Sequence, residues 1–214
     1  MSDKSNKYGY VGVDIPAQSF GANKGVFNPA EINELVANNQ WTTFGQLELI
    51  ETKNVSASSS AIFTSIQEST YNVHFMTLND FQTSNDSQYP AIRFFESGVE
   101  ESANVYQYAT QYGRADGTFG VSQATATNFL LAGVTTGNQV NEQCNSYCYF
   151  YNLGDSSKYS FQTLHSTNTS NTTTYTMSFG SGVLPQASTV NQIKLYVPAG
   201  TFDGTISLYG IRYS

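Results

Sequence analysis

The stretch Ile193-Lys-Leu-Tyr-Val-Pro-Ala-Gly-Thr-Phe-Asp-Gly-Thr-Ile-Ser-Leu-Tyr-Gly-Ile-Arg-Tyr-Ser214 decides the fold. In its first half Ile193, Leu195 and Val197 alternate with Lys194 and Tyr196, and in its second Ile206 and Leu208 alternate with Ser207 and Tyr209. A period of two puts the apolar set of each half on one face of a strand. Pro198 to Gly204 has the Pro, Gly and Asp content of a turn or loop, so the two halves are expected to form a terminal β-hairpin. Strands this apolar attract other strands when left at an edge. The hairpin is therefore expected inside a sheet, closing the domain, or covered by another subunit.

Working upstream, the same period recurs. From Phe44 onward, Leu47 and Leu49 alternate with Gln46, Glu48 and a later Glu51; residues 56–60 read as a Ser/Ala loop; and residues 61–66 and 71–78 read as strands. Further strands are expected at residues 91–95, 105–112, 117–121, 128–132, 147–151, 159–164 and 174–179. Short strands between turn signals, with no helices among them, predict an all-β fold in which two antiparallel sheets pack as a sandwich. At 214 residues the chain is long for an immunoglobulin-like sandwich, which favours a jelly roll.

The first 43 residues read differently. Residues 1–26 are rich in Gly, Asn and Gln without a sustained period and predict an extended arm. The segment Phe27-Asn28-Pro29-Ala30-Glu31-Ile32 has the marks of a helix start: Asn28 as cap, Pro29 in the first turn, Glu31 reaching back, and Phe27 stapling to Ile32. Ile32, Leu35 and Val36 share one face of this short helix, Asn38-Asn39 ends it, and the single tryptophan, Trp41, anchors the junction to the sheets. The expected organisation is an arm and docking helix over residues 1–43 and a β-sandwich over 44–214, with docking carried by Phe27, Ile32, Leu35 and Trp41.

Composition narrows the function classes. Charged residues are only 12% of the chain, the net charge is −7, and Tyr (15) and Phe (14) are abundant. Nine Lys and Arg without a basic cluster argue against nucleic-acid binding. Met1 to Lys7 is polar with no apolar segment behind it, and no stretch reaches membrane-span length, so neither a classical export signal nor membrane insertion is expected. Cys144 and Cys148 lie four apart; a local disulfide or half of a zinc site is conceivable, and buried free thiols are the ordinary reading.

Three blocks in order carry a resemblance. The segment Asn23-Lys-Gly-Val-Phe-Asn-Pro-Ala-Glu-Ile-Asn-Glu-Leu35 with Trp41 resembles a segment of structural proteins of tailed bacteriophages, marine ones especially. Ser60-Ala-Ile-Phe-Thr-Ser-Ile66, followed by Tyr71 and an alternating strand, is similar to the opening strands of their concanavalin-like or jelly-roll domains. Ile193 to Tyr196 with Gly204 to Ile211 is similar to their ending. The resemblance implies a virion structural protein of a tail fibre, neck, baseplate appendage or capsid decoration. By the same resemblance its partners are other virion proteins and copies of itself, with a trimer as the expected oligomer.

No catalytic, metal or cofactor residues are expected. His74 lies in an apolar strand and His165 just after another, and no Gly-x-Ser-x-Gly elbow accompanies them. Glu48 and Glu51 fall on opposite faces of a regular strand, and Glu96, Glu100 and Glu101 surround a glycine loop, which is not the convergent pair a glycosidase needs. Asn79-Asp80, Asn85-Asp86-Ser87 and Asp116 offer oxygen ligands without the spacing of a calcium loop. Two tyrosine stripes, Tyr106, Tyr108, Tyr112 and Tyr147, Tyr149, Tyr151, each line one face of a strand. They are expected to fill the core or an interface, or alternatively to contact a host-surface glycan in a lectin-like attachment module.

Overall fold

The computed structural model describes residues 29–38 and 47–211, which fall into two units divided at residue 47. In the first, α1 (Pro29–Ala37) begins at the proline, whose missing N–H is not needed in a first turn. Asn38 N–H still donates to the Glu34 carbonyl at 3.0 Å, and the helix then stops where the Asn pair predicts. Ile32 and Leu35 are half-buried while Val36 is exposed, so the expected stripe of three narrows to two. Phe27, Asn28, Trp41, the arm and the Glu31 side chain lie outside the described residues.

The second unit is all-β. Its strands are β1 (Leu47–Ser58), β2 (Ser60–Phe63), β3 (Val73–Thr83), β4 (Ala91–Glu96), β5 (Val99–Glu100), β6 (Tyr106–Arg114) and β7 (Phe119–Ala126). They continue with β8 (Phe129–Leu130), β9 (Cys144–Tyr151), β10 (Tyr159–Thr169), β11 (Tyr175–Ala187), β12 (Val190–Tyr196) and β13 (Phe202–Ile211). Two antiparallel sheets result: an eight-stranded one in the order β1-β13-β3-β9-β10-β11-β6-β7, and a five-stranded one in which β2-β12-β4-β5 is joined by β8 on β4.

The stretch at 193–211 contributes one interior strand to each layer. β12 lies between β2 and β4, and β13 between β1 and β3. This corrects the expected hairpin: β12 and β13 do not pair, and residues 197–201 carry the chain from one sheet to the other. Each strand already has a ladder partner on both sides, so neither has an edge left for the other. Ile193, Leu195, Ile206 and Leu208 instead belong to the one buried core between the layers. β1 pairs with β13 and its continuation β2 pairs with β12, so one two-stranded ribbon is shared by both sheets, in the manner of a jelly roll.

Several strand boundaries also differ from expectation, two of them for a visible reason. The Ser/Ala segment is strand as far as Ser58, because Asn54 and Val55 stay in register with β13 and a bulge before Ser58 absorbs the irregularity. β11 runs on from Phe179 to Ala187 straight through Gly180 and Gly182. These glycines do not break the strand, because they let it approach its neighbours. A Cβ on Gly180 would lie 2.4 Å from the Ala109 carbonyl oxygen, and one on Gly182 would lie 2.6 Å from the Phe129 ring.

The core is aromatic. Phe94 of β4 packs edge-on against Phe129 and Phe150 at 5.5 Å each, and Phe81 meets Phe202 at 5.1 Å. Beyond this cluster the interior turns polar. Residues 130–136 lie against the inward side chains of β9, β10 and β11, which answer the backbone groups of that buried loop. Ser146 Oγ donates to the Leu131 carbonyl (3.0 Å), Gln162 Nε2 to that of Leu130 (3.1 Å), and Asn168 Nδ2 to that of Thr135 (3.3 Å). Ser178 Oγ accepts the Gly133 N–H at 3.1 Å. A buried segment of backbone needs such partners, so the inner face here is built of Ser, Thr, Asn and Gln.

Candidate binding face

That polar interior inverts β10 and β11. Ser160, Gln162, Ser166 and Asn168 point inward and are buried, whereas Tyr159, Phe161 and His165 on the alternate positions are exposed. In β11, Thr176 and Ser178 are buried while Tyr175 and Phe179 are exposed. β9 is apolar on both sides: Cys144, Cys148 and Phe150 face the core, and Tyr147, Tyr149 and Tyr151 face out. A strand has only two faces, so each of these choices sends rings to the outer surface of the same sheet.

Register lines them up across the strands. One row runs Leu49, Tyr209, Phe75 and Tyr149, and the next runs Thr77, Tyr147, His165 and Phe179 to Gln111 and Val121. Phe75 stands 4.8 Å from Tyr149 and 6.0 Å from both Tyr147 and Tyr209, ring centre to ring centre. Tyr147 lies 5.5 Å from His165, and Tyr149 stacks on Tyr151 at 6.4 Å. At the β7 end Phe119 is 78% exposed. The result is a broad aromatic face.

The five-stranded sheet presents a different outer surface. Arg93 and Lys194 are directly opposed across the β4–β12 ladder, and Glu100 reconciles them with contacts of 2.9 Å to each. Tyr196 lies under both cations, with Arg93 4.9 Å and Lys194 5.4 Å from its ring centre. Burial works against the Glu100 charge, yet bonds from Lys194 and Arg93 hold its carboxyl below the ordinary value.

The two tyrosine stripes separate. Tyr147, Tyr149 and Tyr151 are on the outer face. Tyr106, Tyr108 and Tyr112 are on the inner side of β6, and Tyr106 is completely buried. Tyr106 is thus a core residue and leaves the set available to a surface ligand; Tyr108 packs half-buried against the core. Alternation alone could not rank the stripes, because both show it equally. The exposed rings of Phe161, Tyr175 and Phe179 and the half-buried ring of Phe75 were not expected on a surface, because they occupy strand positions that hydrophobic alternation assigns to a core.

The remaining chemical groups are accounted for locally. His74 faces inward, with Nε2 2.7 Å from the Ile66 carbonyl, and burial lowers its pKa despite that bond; His165 is on the opposite face of the sheet. Cys144 and Cys148 are both buried free thiols on the inward side of β9, four residues apart and so about 13 Å along the strand, too far for a disulfide. Burial pushes the Cys144 thiol up to about 12, and that of Cys148 higher still. Glu48 accepts the Tyr71 hydroxyl (2.6 Å), Glu51 pairs with Lys53 (2.5 Å), Glu96 with Ser188, and Glu101 accepts the Ala103 N–H (2.7 Å). Asp86 and Asp116 accept the N–H groups of Ser87 and Thr118 at 2.8 and 2.9 Å, as turn residues do. Among the described residues no three His, Cys, Asp or Glu side chains gather as a metal site, and no helix is long and apolar enough to cross a membrane.

Fold and surface together define a two-sheet antiparallel β-sandwich carrying one aromatic face. No protein-family model matches the chain, and no curated protein matches its sequence.

Proposed function

We propose that the chain is a non-enzymatic structural protein of a phage virion. It assembles through its first 43 residues and displays the sandwich so that the aromatic face meets a partner. The observation that carries this reading is the contrast between the two outer surfaces, one of closed ion pairs and one of exposed Tyr, Phe and Leu side chains. A contiguous apolar surface on a folded domain marks a place where something else binds. The resemblance of the segments at 23–41, 60–71 and 193–211 to virion proteins supplies the setting, and Phe27, Ile32, Leu35 and Trp41 are the residues assigned to docking.

Sedimentation of the full chain tests this, combined with covalent footprinting of surface tyrosines. The expected result is a homo-oligomer that Trp41→Ala weakens while β-sheet circular dichroism is unchanged, with Tyr147 and Tyr175 labelled equally in monomer and oligomer. A chain that stays monomeric at every concentration sinks the assembly role. An outer face that becomes protected in the oligomer sinks the display role.

A further inference from the structure

An open groove of about 460 Å³ crosses the aromatic face between β3, β9, β10 and β11. Its apolar lining is Phe75, Tyr147, Tyr175 and Met177. Beside these rings stand Thr77, Asn79, Asn145, Thr167 and His165. Asn145 Oδ1 accepts the Asp80 N–H at 2.9 Å. Its Nδ2, the side chains of Thr77, Asn79 and Thr167, and both ring nitrogens of His165 make no hydrogen bond to other described residues. Among the described residues, no Asp, Glu, Lys or Arg lines the groove.

We infer that this groove binds a neutral glycan. The inference rests on the reading of the aromatic face as a displayed partner surface, and it names the ligand. A sugar ring has an apolar face of C–H bonds, which stacks on a flat ring such as Tyr147, and a rim of hydroxyls that need both donors and acceptors. Amides, hydroxyls and imidazole supply both. A purely apolar partner would bury the free groups of Asn79, Thr77 and Thr167 unsatisfied, which weakens its binding. A charged ligand finds no counter-charge in the lining, and a nucleic acid finds no cations for its phosphates. The groove is open along the sheet, so it suits a run of residues within a polysaccharide better than a single enclosed sugar.

The test uses the full chain against soluble dextran, mannan, β-1,3-glucan and galactan, with alginate and hyaluronate as anionic counterparts. Affinity electrophoresis gives the first readout, and titration calorimetry with the matching oligosaccharides comes second. The expected result is that at least one neutral polysaccharide retards the protein. Tyr147→Ala should lower that affinity tenfold or more, Thr167→Val should lower it measurably, and Phe119→Ser, outside the groove on the same face, should leave it unchanged; all three should keep the wild-type Tm within a few degrees. Absence of binding to every neutral polymer, stronger binding to the anionic ones, or binding that survives Tyr147→Ala overturns the inference. Sedimentation of the same samples separates the two claims: an oligomer with an exposed face and no sugar binding removes the glycan alone, and a monomer that binds sugar through Tyr147 removes the assembly role alone.

Discussion

The hydroxyl of Tyr106, in the eight-stranded sheet, accepts the backbone N–H of Phe94, in the five-stranded sheet, at 2.9 Å. The same hydroxyl donates to the Glu101 carbonyl at 3.1 Å, so one side chain joins the two layers through polar atoms inside an aromatic core. Burial pushes the phenol well above its ordinary range, and it stays a donor throughout the accessible pH range. Tyr106→Phe keeps the ring and leaves the Phe94 N–H buried without a partner. The expected loss is about 1–3 kcal/mol, read as a lower urea midpoint at unchanged slope.

Stability should fall with pH in two separate steps. His74 has its pKa lowered from 6.5, chiefly by burial, so below that value the unfolded chain takes up a proton that the folded one refuses. Its contribution is complete above 6.5 and is lost as pH falls from there toward the lowered folded value. Glu100 is also lowered, from 4.5, so its contribution is present above 4.5 and disappears only in more acidic solution. Urea midpoints measured from pH 8 to pH 3 should show both declines, and His74→Gln should remove the upper one alone. A flat profile between pH 7 and 5 in the wild type would contradict the His74 assignment.

Neither cysteine should react while the protein is folded. Cys144 and Cys148 are buried, and with thiol pKa values raised by burial the reactive thiolate is scarce. Labelling by a thiol reagent at pH 8 should therefore proceed at the rate of opening, giving two modified thiols together in denaturant and none in its absence. Fast single-site labelling of native protein would show that β9 is accessible from the core side.

Gly180→Ala should be among the most damaging small substitutions in the sandwich. The added methyl would meet the backbone of Ala109 and Thr110 at 2.4 and 2.6 Å, and backbone cannot swing aside as a side chain can. Overpacking of this kind costs about 1–3 kcal/mol, and the strain should appear between β11 and β6. Amide exchange would report it as faster opening of residues 106–114 with β9 and β10 protected as before.

The architecture was largely legible in the sequence. Alternation in residues 193–211 announced two strands destined for sheet interiors, and both are there. The crossing between layers, where a hairpin was expected, was not legible, because turn residues such as Pro198 and Gly200 look alike whether the chain doubles back within a sheet or crosses to the next layer. The aromatic face escaped for a related reason. Alternation reveals that Phe161 and Gln162 point opposite ways, but which way is in depends on what lies above them. Here a buried loop asks for Gln162 Nε2 at the Leu130 carbonyl, and the rings are turned outward as a consequence. Of the two tyrosine stripes, the one on β9 faces solvent only because Cys148 and Phe150 already fill the core side.

The interior positions of β12 and β13 also govern how this domain is made. Ribosomes deliver the chain from its amino end, so everything up to β11 emerges while one interior strand of each sheet is still missing. Until residue 211 is clear of the exit tunnel, β1 and β3 lack the strand between them, and β2 and β4 lack theirs. Closure is therefore a late event joining distant parts of the chain, the kind of topology that folds slowly and leaves edges open meanwhile. A nascent chain stalled before β12 would be a natural client for a chaperone, and its aggregation would report on synthesis and not on the stability of the finished sandwich.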